Sequence, residues 1–85
     1  MTDLKHALRA ALVTRFRIDA SKLDEDTRLF SGGLIDSLSV MDLVTFVESE
    51  IGQPVPPAAI TLENFDSIAR IAAFAQILTS SRNRA

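Results

Sequence analysis

Gly33-Leu34-Ile35-Asp36-Ser37-Leu38-Ser39-Val40-Met41-Asp42-Leu43-Val44-Thr45-Phe46-Val47-Glu48-Ser49-Glu50-Ile51-Gly52 is the stretch on which the fold turns. Within it Val40, Leu43, Val44, Val47 and Ile51 recur at i, i+3, i+4, i+7 and i+11. At about 100° per residue these five share one apolar stripe, so the spacing predicts a helix over 37–51. Asp36 is placed to cap its start and Gly52 to end it. Pro54, Pro56 and Pro57 then prevent its continuation.

Working outward, Leu4, Leu8, Ala11, Leu12 and Phe16 repeat the helical spacing, predicting a first helix over 3–16 with Thr2 or Asp3 as its cap. Residues 17–36 hold no helical stripe. A loop of that length has to be tied down in a compact domain, and Leu23, Leu29 and Phe30 are the expected anchors. Gly32-Gly33 marks a tight bend before the central helix. Residues 61–65 suit one short turn. Ser67 reads as the cap of a last helix over 67–79, carried by Ile68, Ile71, Ala72, Ala75 and Leu78. The polar run 80–85 is expected to fray. No sustained alternation, repeat or low-complexity tract is present. The fold class expected is all-α: a small three-to-four-helix bundle with a long loop between its first two helices, filling residues 1–85 as a single domain.

Composition narrows the function. The chain has 85 residues, 47% of them hydrophobic, and a domain this small is a poor host for a deep enzyme pocket. No apolar run reaches the roughly 18 residues of a membrane helix, and residues 1–6 lack the apolar core of a signal peptide, so a cytoplasmic protein is expected. There is no cysteine and one histidine, His6, which excludes disulfides, thiolate metal sites and histidine-rich zinc sites. Any thioester chemistry must take its sulfur from a cofactor. Charge is segregated. Residues 1–17 set Lys5, Arg9, Arg15 and Arg17 against Asp3; residues 18–66 set ten acids against Lys22 and Arg28; residues 67–85 hold Arg70, Arg82 and Arg84. The acidic middle argues against nucleic acid and for basic protein surfaces as partners. For any single carboxylate, a solvated face is the plainer reading.

Three features converge on Ser37. It follows a Gly-rich bend, which should expose its hydroxyl. It starts a helix, where free N–H groups and the macrodipole favour an attached phosphate. It follows Asp36, which can cap the helix and help order a metal or phosphate during modification.

The run Gly33-Leu34-Ile35-Asp36-Ser37-Leu38 resembles the attachment motif of acyl and peptidyl carrier proteins, whose signature is Asp-Ser-Leu at the start of the second helix. Residues 40–48, Ile51-Gly52-Gln53-Pro54-Val55-Pro56 and Ile60-Thr61-Leu62-Glu63-Asn64-Phe65-Asp66-Ser67-Ile68 are similar to the family's second helix, its exit, and the entry to its last helix. The resemblance spans residues 3–79. It implies a bundle of acyl-carrier type and a covalent 4′-phosphopantetheine on Ser37, transferred from coenzyme A by a phosphopantetheinyl transferase that uses magnesium. An acyl- or aminoacyl-activating enzyme would then load the arm, and downstream synthases or transferases would do the catalysis; the carrier itself, expected as a monomer, would do none. Leu34-Ile35 stands where fatty-acid carriers more often have Gly-Ala-type residues. With the 60–68 run, that leans towards free-standing carriers of specialised pathways, aminoacyl and D-alanyl carriers among them, without excluding fatty-acid, polyketide or nonribosomal peptide synthesis.

Helix arithmetic places the partner face. Leu38 lies about 160° from the centre of the apolar stripe, so it should be exposed. Asp42, Thr45 and Ser49 project to the same side and Glu48 to its flank, while Met41 sits on the stripe's border, where a core role competes with a contact role. Ser39 and Ser49 occupy places where family members often have acids. The resemblance therefore assigns partner binding to Leu38, Met41, Asp42, Thr45 and Glu48, with recognition less purely electrostatic.

Other candidates are weaker. Asp24-Glu25-Asp26 lacks the calcium-loop pattern and reads as a solvated loop. The five phenylalanines are too dispersed for base stacking and suit core packing. No spacing links His6 to Ser37 as a catalytic pair. The alternative to a carrier is a helical interaction module of the same fold without a prosthetic group; a Ser37 hydrolase lacks a base.

Overall fold

The computed structural model describes residues 3–83, with side chains through Ser80. Four α-helices form the bundle: α1, Leu4–Thr14; α2, Val40–Ile51; α3, Leu62–Phe65; and α4, Ile68–Asn83. Helix α4 packs against each of the other three. Among the described residues there is no strand, and no helix is long and apolar enough to cross a membrane.

Each helix begins at a side-chain cap or a turn that acts as one. Asp3 accepts from the Lys5 N–H at 3.1 Å and opens α1; the alternative cap, Thr2, lies outside the described residues. Helix α1 buries Leu8, Ala11 and Leu12. It ends two residues before the predicted boundary, because Arg17 turns left-handed (φ 58°) and the Ile18 N–H returns to the Leu12 carbonyl at 3.1 Å. Phe16 is thereby outside the helix, and Ile18 enters the core. Helix α2 buries Leu43, Val44 and Val47, and stops at Gly52, whose φ of 73° suits glycine. Thr61 caps α3, and the Ser67 hydroxyl accepts from the Arg70 N–H at 3.1 Å at the head of α4. Helix α4 runs to Asn83, four residues beyond the expected end at 79. The run Ser80-Ser81-Arg82-Asn83 contains no Gly or Pro, so its polarity alone does not break the helix. Arg84 and Ala85 of the expected frayed tail lie outside the described residues.

The long loop is as much a part of the core as the helices. Ile18, Leu23, Leu29 and Ile35 are all 5% exposed or less. At about 1.5–3 kcal/mol for a fully buried Leu or Ile side chain, they match the three core residues of α2. Phe30, an expected anchor, packs half-buried against the core, and Ile18 and Ile35 join it as buried anchors. The loop is also stitched by hydrogen bonds. The Arg9 guanidinium donates to the Leu23 and Ala20 carbonyls, and Asp19 accepts from the Ser21 N–H at 3.0 Å within a 3-10 turn at Ala20–Lys22. The second loop is fixed similarly: Glu48 accepts from the Val55 N–H at 2.7 Å, and the Asn64 amide donates to the Ala59 carbonyl at 2.9 Å.

Candidate functional site

Ser37 sits at the exit of the long loop, and the chain reaches it through a clamp built on Asp66. That carboxylate is 1% exposed. One oxygen accepts from the Phe30 N–H at 2.8 Å and the Ser31 N–H at 3.0 Å; the other accepts from the Ser31 hydroxyl at 2.5 Å. The Asp66 carbonyl accepts from the Leu29 N–H at 2.7 Å. Burial pushes the Asp66 carboxyl up, but the Ser31 hydroxyl, the two N–H donors and the nearby Arg28 together outweigh it, and the group stays below the usual carboxylate range. The clamp fixes 29–31, the Ile35 N–H closes onto the Leu29 carbonyl at 2.8 Å, and buried Ile35 plants the chain one residue before Asp36. Gly32 is required here: a Cβ at this position would stand 2.3 Å from the Arg28 carbonyl oxygen. Gly33 supplies the left-handed residue, with φ 80°.

Beyond this anchor the site is open. Asp36 is exposed and accepts from the Leu38 N–H at 2.9 Å through its carboxylate, and from the Ser39 N–H at 2.9 Å through its carbonyl. It is the expected cap, but of a single 3-10 turn at Ser37–Ser39; α2 proper starts at Val40. Ser37 opens that turn, exposed. Leu38 is 87% exposed, and Met41, assigned from sequence to the border of the stripe, is 55% exposed. Asp42, Thr45 and Ser49 are exposed on α2 as expected. Glu48, placed at the flank by helix angle, is half-buried there, and one of its oxygens is engaged by the Val55 N–H, so it also braces the loop after α2.

A groove of about 430 Å³ opens beside Ser37. It is lined by Arg15, Phe16 and Arg17 from the chain leaving α1, by Leu34, Ile35 and Asp36 from the end of the long loop, and by Ser39, Asp42 and Thr45 from the start of α2. Arg15 lies over the Phe46 ring, 5.4 Å from its centroid. Left-handed backbone at a non-glycine residue such as Arg17 costs on the order of 1–3 kcal/mol, which the core placement of Ile18 offsets.

The remaining candidates lie elsewhere. Glu25 pairs with Lys5 at 2.7 Å, and Asp24 accepts from the Asp26 N–H at 2.8 Å, which holds the Asp24 carboxyl below its usual range; Thr27 assists. These bonds fold the acidic loop onto α1. His6 lines a separate depression with that loop, away from the groove. Among the described residues no cluster of three or more His, Asp or Glu could hold a metal ion. Of the phenylalanines, Phe65 is fully buried and meets Phe74 in a tilted contact, with centroids 5.7 Å apart.

Residues 6–75 match the family described as the phosphopantetheine attachment site, most of the chain. The chain belongs to that family. Its resemblance to carrier proteins, carried in the sequence by Asp36-Ser37-Leu38, therefore extends across α1, α2, α3 and much of α4. Among curated proteins the chain is similar to the lincomycin biosynthesis protein LmbN of Streptomyces lincolnensis, 46% identical over 55 residues. Those residues are 65% of this chain and 20% of that protein, so the chain spans about a fifth of the length of the relative it matches. The donor set fits the family's group: an exposed serine hydroxyl at a turn whose backbone is locked from behind, free of any neighbouring thiol, beside a groove with both apolar walls and cations.

Proposed function

We propose that this chain is a carrier domain whose Ser37 takes a covalent 4′-phosphopantetheine arm and presents acyl or aminoacyl groups to partner enzymes. The observation that supports it best is the placement of Ser37: exposed, on a turn held by Asp36 in front and by the Asp66 clamp behind, within the family match. A hydroxyl so exposed can enter another enzyme's active site without the bundle rearranging. In the modification Ser37 Oγ would bond to the phosphorus that bears the pantetheine in coenzyme A. The pyrophosphate P–O bond breaks, the adenosine bisphosphate leaves with the electron pair, and the serine proton passes to the transferase or solvent. Magnesium belongs to that encounter. Once attached, the arm supplies a terminal thiol, which this cysteine-free chain otherwise lacks, to hold cargo as a thioester.

The chain's own residues orient and present. Asp36 holds the turn and its charge can help order magnesium or phosphate during transfer. Leu38 and Met41, exposed beside the serine, offer apolar contacts to a transferase, an activating enzyme and downstream synthases, with Asp42 and Thr45 as polar neighbours. Catalysis resides in those partners. The relative's part in lincomycin biosynthesis, together with Leu34-Ile35, favours a specialised biosynthetic pathway.

Incubation with coenzyme A, magnesium and a broad-specificity phosphopantetheinyl transferase, followed by intact mass measurement, tests the proposal. One added arm is expected, and none in Ser37→Ala. An unmodified chain across several transferases would leave an interaction module without a prosthetic group. Loading the modified chain with a panel of adenylating enzymes addresses the cargo; elongation of fatty chains alone would overturn the specialised reading.

A further inference from the structure

We propose that the groove between the end of α1 and the start of α2 is the resting place of the arm on Ser37, with Arg15 and Arg17 facing its phosphodiester. This rests on the carrier reading of Ser37. The groove's volume of about 430 Å³ falls within the roughly 300–1,000 Å³ typical of pockets for drug-sized ligands. Asp36 and Ser39 both line it; Ser37, between them in sequence, stands at its rim and not in its lining, so an arm on Ser37 would enter from the edge.

Charge carries the inference further. A phosphodiester on Ser37 adds a negative charge next to Asp36, with Asp42 in the following turn of the same wall. Like charges at such spacing repel, and the groove needs cations if the arm is to lie in it. Arg15 and Arg17 are the two it has. Among the described residues neither makes an ion pair or a hydrogen bond through its guanidinium. Arg15 lies over the Phe46 ring, a contact that uses the face of the guanidinium and leaves its N–H edge available. Guanidinium forks match phosphate oxygens, which suits them to this group better than lysines would be.

The rest of the arm also finds partners. Half-buried Phe16 and Leu34 give an apolar wall for its paired methyl groups, and the Ser39 and Thr45 hydroxyls can hydrogen-bond its amides. The depression where α1, α2 and α4 meet offers a contrast. It is lined by Ile51, Ala72 and Ala75 with Asp3 and Glu50, and has no cation, so its sign is wrong for a phosphodiester.

The test compares amide spectra of the ¹⁵N-labelled chain before and after modification, with intact mass establishing complete addition of the arm. Shifts are expected at Arg15, Phe16, Arg17 and Thr45 as well as at 36–39, with cross-relaxation between the arm's methyl protons and the Phe16 ring. The double variant Arg15→Gln, Arg17→Gly should still accept the arm but lose the shifts at Phe16 and Thr45. Glycine suits the left-handed backbone at 17, so this variant keeps the turn. A fully modified chain whose shifts stop at residues 36–40 would overturn the inference. So would inorganic phosphate producing the same shifts in the unmodified chain, since that would make the arginines a site for free anions. A chain that accepts no arm would instead overturn the carrier reading, and this inference with it.

Discussion

Asp36 and Asp66 do the same chemistry in regions that otherwise differ. Each carboxylate collects backbone N–H groups to hold a bend. Asp36 is exposed and takes the Leu38 N–H, two residues away. Asp66 is buried and takes the Phe30 and Ser31 N–H groups, 36 and 35 residues away. The first shapes the turn that bears Ser37; the second decides where that turn stands in the molecule. On the proposed carrier reading the labour is divided: the exposed local turn at Asp36 would present Ser37, and the buried, distant Asp66 fixes where that turn stands.

Substitutions should separate the two roles, and the largest effect belongs to the buried partner. Asp66→Ala leaves the Phe30 and Ser31 N–H groups and the Ser31 hydroxyl without their acceptor, and should cost on the order of 3 kcal/mol in denaturant unfolding. An unchanged midpoint would refute the clamp. The same contribution should depend on pH. Because the Asp66 carboxyl is held below its ordinary value in the fold, its stabilisation is fully present above the ordinary carboxylate range near 4 and is lost as pH falls through the lower folded value. Asp66→Ala should remove that part of the acid dependence.

Gly32→Ala comes next. The new Cβ would meet the Arg28 carbonyl oxygen, a backbone atom, so the loop must shift, at about 1–3 kcal/mol. Asp36→Ala removes one exposed cap bond and should cost only about 1 kcal/mol by thermal unfolding, while slowing modification of Ser37 by more than that stability change explains. The smallest stability effect is expected at Ser37 itself: Ser37→Ala should stay within about 0.5 kcal/mol of the parent, as an exposed position should. A large loss there would mean that the serine is structural.

The same contrast explains what the sequence made legible. The apolar stripe of α2, the Asp36 and Ser67 caps, the Gly52 stop and the exposure of Leu38 all depend on neighbours within a few residues, so periodicity and capping rules reach them. The end of α1 is hidden from the sequence because an arginine, not a glycine, takes the left-handed turn at 17, and composition gives no sign of that. Nothing local marks Asp66, since an acid just before a helix cap has the pattern of a solvated one; only the fold brings 29–31 onto it. Helix angle puts Glu48 at the flank of the outer side but fixes only its Cβ, not the carboxylate, which bends to the Val55 N–H. The groove beside Ser37 joins residues 15–17 to 34–45, a juxtaposition no local pattern encodes.

The site of attachment separates the carrier from its alternatives most directly. Peptide mapping by tandem mass spectrometry of the chain after reaction with coenzyme A and a phosphopantetheinyl transferase should find a single phosphopantetheine on Ser37, and Ser37→Ala should carry none. An arm on Ser31, Ser39 or another hydroxyl, or no arm at all in a folded chain, would contradict it.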